Sequence, residues 1–155
     1  MSVQPIPKGY HTVTPYLIVQ GAGKAIEFYR KAFGATEVFR MEGPEGKIGH
    51  AEIQIGDSRV MLADEYPDMG FMSPASLGGS AVTLMIYVED SDAVYQSALA
   101  AGAEIVKPIQ DQFYGDRSGT VKDPFGHVWT LSTHKEDLTY DEVERRAQEY
   151  MREQS

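Results

Sequence analysis

Tyr16-Leu17-Ile18-Val19 followed by Lys24-Ala25-Ile26-Glu27-Phe28-Tyr29-Arg30-Lys31-Ala32-Phe33-Gly34, set against Met85-Ile86-Tyr87-Val88 followed by Ser91 to Gly102, decides the fold, because one pattern is written twice. Each four-residue run reads as a short buried strand, and the two lie 69 residues apart. In the first segment Ala25, Phe28, Tyr29, Ala32 and Phe33 recur at helical spacing and Gly34 supplies the stop. In the second, Ala93, Val94, Ser97, Ala98 and Ala101 do the same before Gly102, and Ser91 has the residue type of an N-cap.

Working outward, strand-like runs follow each helix at Glu37 to Met41 and Glu104 to Ile109, with Val38, or Ile105 and Val106, predicted to face a core. Gly49 and Gly56 bracket His50 to Ile55; Gly119 and Gly126 bracket Thr120 to Phe125, 70 residues on. A last strand closes each copy, Arg59 to Ala63 and His127 to Ser132. The expected fold is α+β: two tandem βαβββ modules, residues 10–65 and 81–134, forming a cupped mixed sheet over residues 10–134. The flexible linker 66–80 holds Pro67, Gly70, Pro74, Gly78 and Gly79; its Met69, Phe71 and Met72 either pack under the loop or form a mobile lid. Residues 135–155 form a C-terminal helical extension, since Thr139-Tyr140-Asp141-Glu142 reads as a capping box. Its stripe of Val143, Ala147, Tyr150 and Met151 should pack on the chain itself or on a partner.

Composition narrows the function classes. Hydrophobic residues at 42% and charged residues at 24% are ordinary for a chain that buries a core. A formal net charge of −9 and the lack of a basic run argue against nucleic acid and anionic membrane surfaces as partners. Cysteine is absent, which removes disulfides, thiolate metal sites and cysteine nucleophiles. Neither a signal-peptide core nor a spanning apolar stretch is present, so a cytoplasmic location is expected.

Strand alternation then sorts the side chains by face. Ala51, Ile53 and Ile55 should face the helices, leaving His50, Glu52 and Gln54 for the cup; Val82, Leu84, Ile86 and Val88 leave Thr83, Met85 and Tyr87 there, and Tyr16 joins them. His50 and Glu52 are the candidate acid–base pair, and Tyr16, Gln54, Thr83, Met85 and Tyr87 the candidate ligand contacts. Arg117 either holds a ligand carboxylate or phosphate, or pairs with Asp116 or Asp123 to fix a hairpin. His127 and Trp129 should pack under the helices or at an interface. Gly21-Ala22-Gly23 has no phosphate-loop spacing, and no serine sits in a nucleophile elbow.

With Asp123-Pro124-Phe125-Gly126-His127-Val128-Trp129 in its last hairpin, the duplicated module resembles the vicinal oxygen chelate superfamily, which includes glyoxalase I, bleomycin resistance proteins and extradiol dioxygenases. Gly49-His50-Ala51-Glu52, Met61-Leu62-Ala63-Asp64 and Phe113-Tyr114-Gly115-Asp116-Arg117-Ser118-Gly119 resemble its PhnB-like branch. The resemblance implies a cup that takes a small-molecule ligand, and paired chains, hence a homodimer. It also implies where a metal would sit, on the first and last strands of each module. Those positions hold Thr14, about Met61, Thr83 and Thr130, a poor donor set for a divalent ion. The expectation is therefore a binder of a small organic molecule without cofactor, like the bleomycin resistance group. The alternative is a glyoxalase-, epimerase- or dioxygenase-type enzyme with a divalent metal ion relocated near His50 and Glu52. A third reading is an interaction domain acting through its C-terminal helix. Whether one chain or two build the cup stays open at this stage.

Overall fold

The structure is a computed structural model that describes residues 2–155. The first module runs β1 (Tyr16–Val19), α1 (Ala22–Phe33), β2 (Thr36–Glu42), β3 (Ile48–Ile55) and β4 (Ser58–Asp64). After a short helix α2 (Pro74–Leu77), the second runs β5 (Thr83–Tyr87), α3 (Ser91–Ala101), β6 (Glu104–Asp111), β7 (Asp116–Lys122) and β8 (Val128–His134). Helix α4 (Tyr140–Glu153) follows. Each module forms its own mixed four-stranded sheet, in the order β1-β4-β3-β2 and again β5-β8-β7-β6. In both, the first strand is parallel to the last and the remaining pairs are antiparallel.

The repeat extends to single hydrogen bonds. Helix N-termini leave backbone N–H groups without intrahelical partners. At α1 the carboxylate of Asp64, the last residue of β4, accepts from Gly21 N at 2.8 Å and Ala22 N at 2.9 Å, and from Ile48 N at 2.8 Å. Sixty-nine residues on, Thr133 Oγ1 accepts from Ser91 N at 2.8 Å and donates to Val88 O. Ser91 itself is not the N-cap. That position belongs to Asp90, whose side chain accepts from Ala93 N, while the Ser91 hydroxyl is buried and donates to Arg117 O.

Helices α1 and α3 pack on each other, so the two modules meet through their helical sides. The joint is aromatic: Tyr29 and Phe33 of α1 lie 5.4 and 4.8 Å, centroid to centroid, from Trp129 of β8. Beneath them the buried Asp123 accepts from Tyr29 Oη at 2.5 Å, Trp129 Nε1 at 2.9 Å and the N–H groups of Phe125 and His127. His127 Nε2 donates to Ile18 O of β1 at 2.9 Å, tying the second module to the first.

Three expectations about the core need correction. Val38, Ile105 and Val106 are exposed, because β2 and β6 are the outermost strands of their sheets and register shifts interrupt the alternation beside them. Val82 is exposed too, since β5 begins one residue later. The linker is folded rather than loose. Glu65 accepts from Ser73 N at 2.6 Å, Gln20 donates to Glu65 and Ser76, and α2 rests near β1 and the β7–β8 turn. That approach is close enough that a Cβ on Gly126, whose φ is +93°, would meet the Pro74 ring at 2.7 Å.

Helix α4 starts as its sequence predicts, with Thr139 Oγ1 accepting from Glu142 N. It lies against its own chain through Tyr150 on Phe113, at 5.3 Å, and Arg146 on Phe113 O and Glu136. None of its residues is buried. No helix of the described residues is long and apolar enough to cross a membrane.

Candidate ligand site

The site begins with the alternation of β3. Ala51, Ile53 and Ile55 are buried on the helix side, so His50, Glu52 and Gln54 point from the open face. Register then adds neighbours on that face: Phe39 and Met61 stand opposite Glu52, Met41 opposite His50, and Tyr16 opposite Met61. These placements make a continuous chain of hydrogen bonds. Tyr16 Oη meets His50 Nδ1 at 2.8 Å, His50 Nε2 meets Glu52 Oε2 at 2.8 Å, and Tyr10 Oη donates to Glu52 Oε1. A neutral imidazole satisfies both of its contacts as the Nε2–H tautomer, accepting from Tyr16 and donating to Glu52. Phe39 lies 6.3 Å from the His50 ring, and Phe71 from the linker stacks on Tyr16 at 6.5 Å.

The electrostatics divide the roles. Hydrogen bonds from Tyr10 and then His50 hold the Glu52 carboxyl below the usual carboxylate range, partly opposed by desolvation. Burial, and then the charge of Glu52, push the Tyr16 phenol upward. Near neutral pH the network therefore presents an ionised carboxylate at one end and a protonated phenol at the other, with imidazole between. Such an arrangement can orient a ligand oxygen or relay a proton.

On the second module Thr83, Met85 and Tyr87 also emerge on the open face, and Tyr87 Oη donates to Asp116 Oδ2 at 3.0 Å. Asp116, buried in β7, also accepts from Ser132 Oγ and faces His134 Nδ1 at 2.9 Å. His134 Nε2 reaches Asp137 at 2.8 Å, and its two carboxylates, Asp116 first, raise the imidazole above its ordinary range.

Sequence reasoning passed over Tyr10, Asp116 and His134. Tyr10 precedes any periodic segment, and Asp116 meets His134 through β7–β8 register, which no spacing rule signals. Gln54 lies on the expected face but donates to Gly56 O of its own hairpin. Arg117 stands apart. It shares the helix side of β7 with Val121, and its guanidinium is bound to Asp92 of α3 at 2.6 and 2.9 Å and to Asp111 at 3.2 Å. It therefore joins neither the open face nor the expected partners Asp116 and Asp123. Among linker residues, Phe71 covers Tyr16 whereas Met69 is exposed.

Of the positions expected to carry a metal, Thr14 precedes β1 and Thr83 pairs with Val128, so that register sets Tyr16 beside Met61 and Met85 beside Thr130. A phenol, two thioethers and a hydroxyl do not fit a divalent ion, and among the described residues no three His, Asp or Glu side chains are grouped to hold one.

An uncharacterized protein of Mycobacterium bovis is 46% identical over 135 residues, covering 85% of this chain and 89% of its own length. The crystal structure of TioX from a Micromonospora species is 26% identical, with a TM-score of 0.63 over 83% of this chain and 100% of that one. A PhnB protein of Bacillus cereus, described as a putative 3-demethylubiquinone-9 3-methyltransferase, shares the fold at 23% identity, with a TM-score of 0.63 over 79% of this chain and 99% of that one. Residues 10–131, most of both modules, match one family as a whole. The chain belongs to the glyoxalase/bleomycin resistance protein/dioxygenase superfamily.

Proposed function

We propose that this protein binds a small organic molecule on its open sheet faces, held at one end by Tyr16, His50 and Glu52, and that a second copy of the chain completes the enclosure. The observation that carries the reading is the hydrogen-bonded series Tyr16–His50–Glu52–Tyr10, set on an otherwise uncovered sheet face between the rings of Phe39 and Phe71. Aromatic walls with a few fixed polar groups suit a flat ligand bearing a carbonyl or hydroxyl. Thr83, Met85 and Tyr87 supply the contacts from the second module. No resident metal is part of this reading, because His50 and Glu52 bring no third donor and already bind each other.

A thermal-shift screen of small organic compounds and antibiotics tests it: a ligand should raise the melting temperature of the wild type and lose about tenfold in affinity in His50→Ala, the order expected for a lost charged-network hydrogen bond. If no compound stabilises the wild type, the reading fails.

The same network favours a second reading, acid–base turnover of the bound molecule, since an ionised Glu52 and a protonated Tyr16 bracket one imidazole. Glu52→Gln separates the two. It should retain binding and abolish turnover if the site is catalytic, whereas elemental analysis showing stoichiometric metal would instead favour the relocated-metal enzyme.

A further inference from the structure

The repeat exposes a difference between its copies. Strand register makes Leu17 and Val19 of β1 the equivalents of Ile86 and Val88 of β5. Leu17 and Val19 are sealed under α1, but Ile86 and Val88 are only half-buried. Ile86 and Val88 instead line open space between the modules, together with Leu84.

What remains is a groove of about 1080 Å³ between the modules. Phe33, Ile55, Val60, Leu84, Ile86 and Trp129 supply its apolar lining, drawn from α1, the β3–β4 hairpin, β5 and β8. Arg59 and His11 stand on the side of the first module, Tyr87 and His134 on that of the second. Arg59 Nε is shielded from solvent without a hydrogen-bond partner, and its guanidinium lies 5.5 Å from the Tyr10 ring. The Glu52 carboxylate is near enough to feel the Arg59 charge, but the Nε donor itself is still unpaired, which is costly until an acceptor meets it.

We propose that this groove is a second binding site, adjoining the Tyr16–His50–Glu52 network through Tyr10 and sharing Met85 and Tyr87 with the open face, and that it takes an amphipathic organic acid: an acyl or aryl chain on the apolar lining with its carboxylate on Arg59. The apolar lining takes the chain, and Arg59, set in the same lining as Asp57 and Glu89, selects the charge.

Trp129 is the one tryptophan in the sequence and lines the groove, so its fluorescence reports occupancy. Decanoate should shift Trp129 emission saturably, with decylamine and decanol much weaker. Arg59→Gln should weaken decanoate about tenfold or more, the usual scale for one charge-assisted bond. Ile86→Phe, which fills the groove, should weaken it as well, with thermal melts establishing that both variants fold. The proposal is overturned if decanoate gives no saturable shift, if decylamine binds as well, or if Arg59→Gln matches the wild type. It is equally overturned if Trp129 emission follows protein concentration without ligand, since a second copy then occupies the groove.

Discussion

Asp123 shows what a single residue does in this fold. In the sequence it is one letter of a polar hairpin turn, yet it is buried at the aromatic joint and accepts from two side chains and two backbone N–H groups. Asp123→Ala leaves Tyr29 Oη, Trp129 Nε1 and two amides without an acceptor away from water. A loss of about 3–5 kcal/mol is expected in urea unfolding, the scale for disrupting a buried charged network. An effect below about 1 kcal/mol would mean that water satisfies those donors. Candidate site residues were legible to different degrees for the same physical reason. His50 and Glu52 follow from period two in one strand, which depends only on local sequence. Arg117 obeys the same alternation, which sets it on the face of Val121, and its ion-pair partners Asp92 and Asp111 come from α3 and β6 rather than from its own hairpin. Asp116 and His134 meet only after β7 and β8 register, so nothing local announces the pair.

Among the elements, strands and helices were readable wherever apolar periodicity and a glycine stop agreed, as at Gly34 and Gly102, both left-handed C-caps. Caps supplied from a distant strand were not readable, since Asp64 and Thr133 act across more than forty residues. The linker belongs to this class. Its glycines and prolines suggested a loose loop, whereas Glu65 anchors it through Ser73 N and Gln20. The nearby hydroxyls of Ser73 and Ser76, then the Ser73 amide and Gln20, hold the Glu65 carboxyl down to about 2 from its ordinary 4.5. A depressed folded-state pKa stabilises above the ordinary value and ceases to do so as pH falls through the folded one. The linker should therefore stay docked at neutral pH and loosen between about pH 4.5 and about 2. The amide resonance of Ser73 should titrate in that window in the wild type and show no such step in Glu65→Gln. Because Phe71 rides on the same segment, loosening it also uncovers Tyr16.

At the scale of the whole molecule, the helices are spent on each other: α1 and α3 join the modules back to back, so neither covers the opposite face of its sheet. Those open faces carry Phe39 at 48% exposure, Met41 at 52%, Met85 at 47% and Tyr87 at 62%. Side chains of this size grouped on sheet faces, rather than scattered singly, mark a surface that is covered in use. The second copy proposed above would cover them, because a two-fold pair can set the first module of one chain against the second module of the other and form two equivalent enclosures. Tyr16, His50 and Glu52 would then face Met85 and Tyr87 of the other copy across each cavity. Sedimentation equilibrium should give twice 17.2 kDa at micromolar concentration. Phe39→Asp combined with Met85→Glu places charge on both faces and should give a folded monomer whose small-molecule affinity falls with its self-association. A wild-type monomer that binds its ligand with full affinity would instead place the whole site within one chain, on the face of the first module alone.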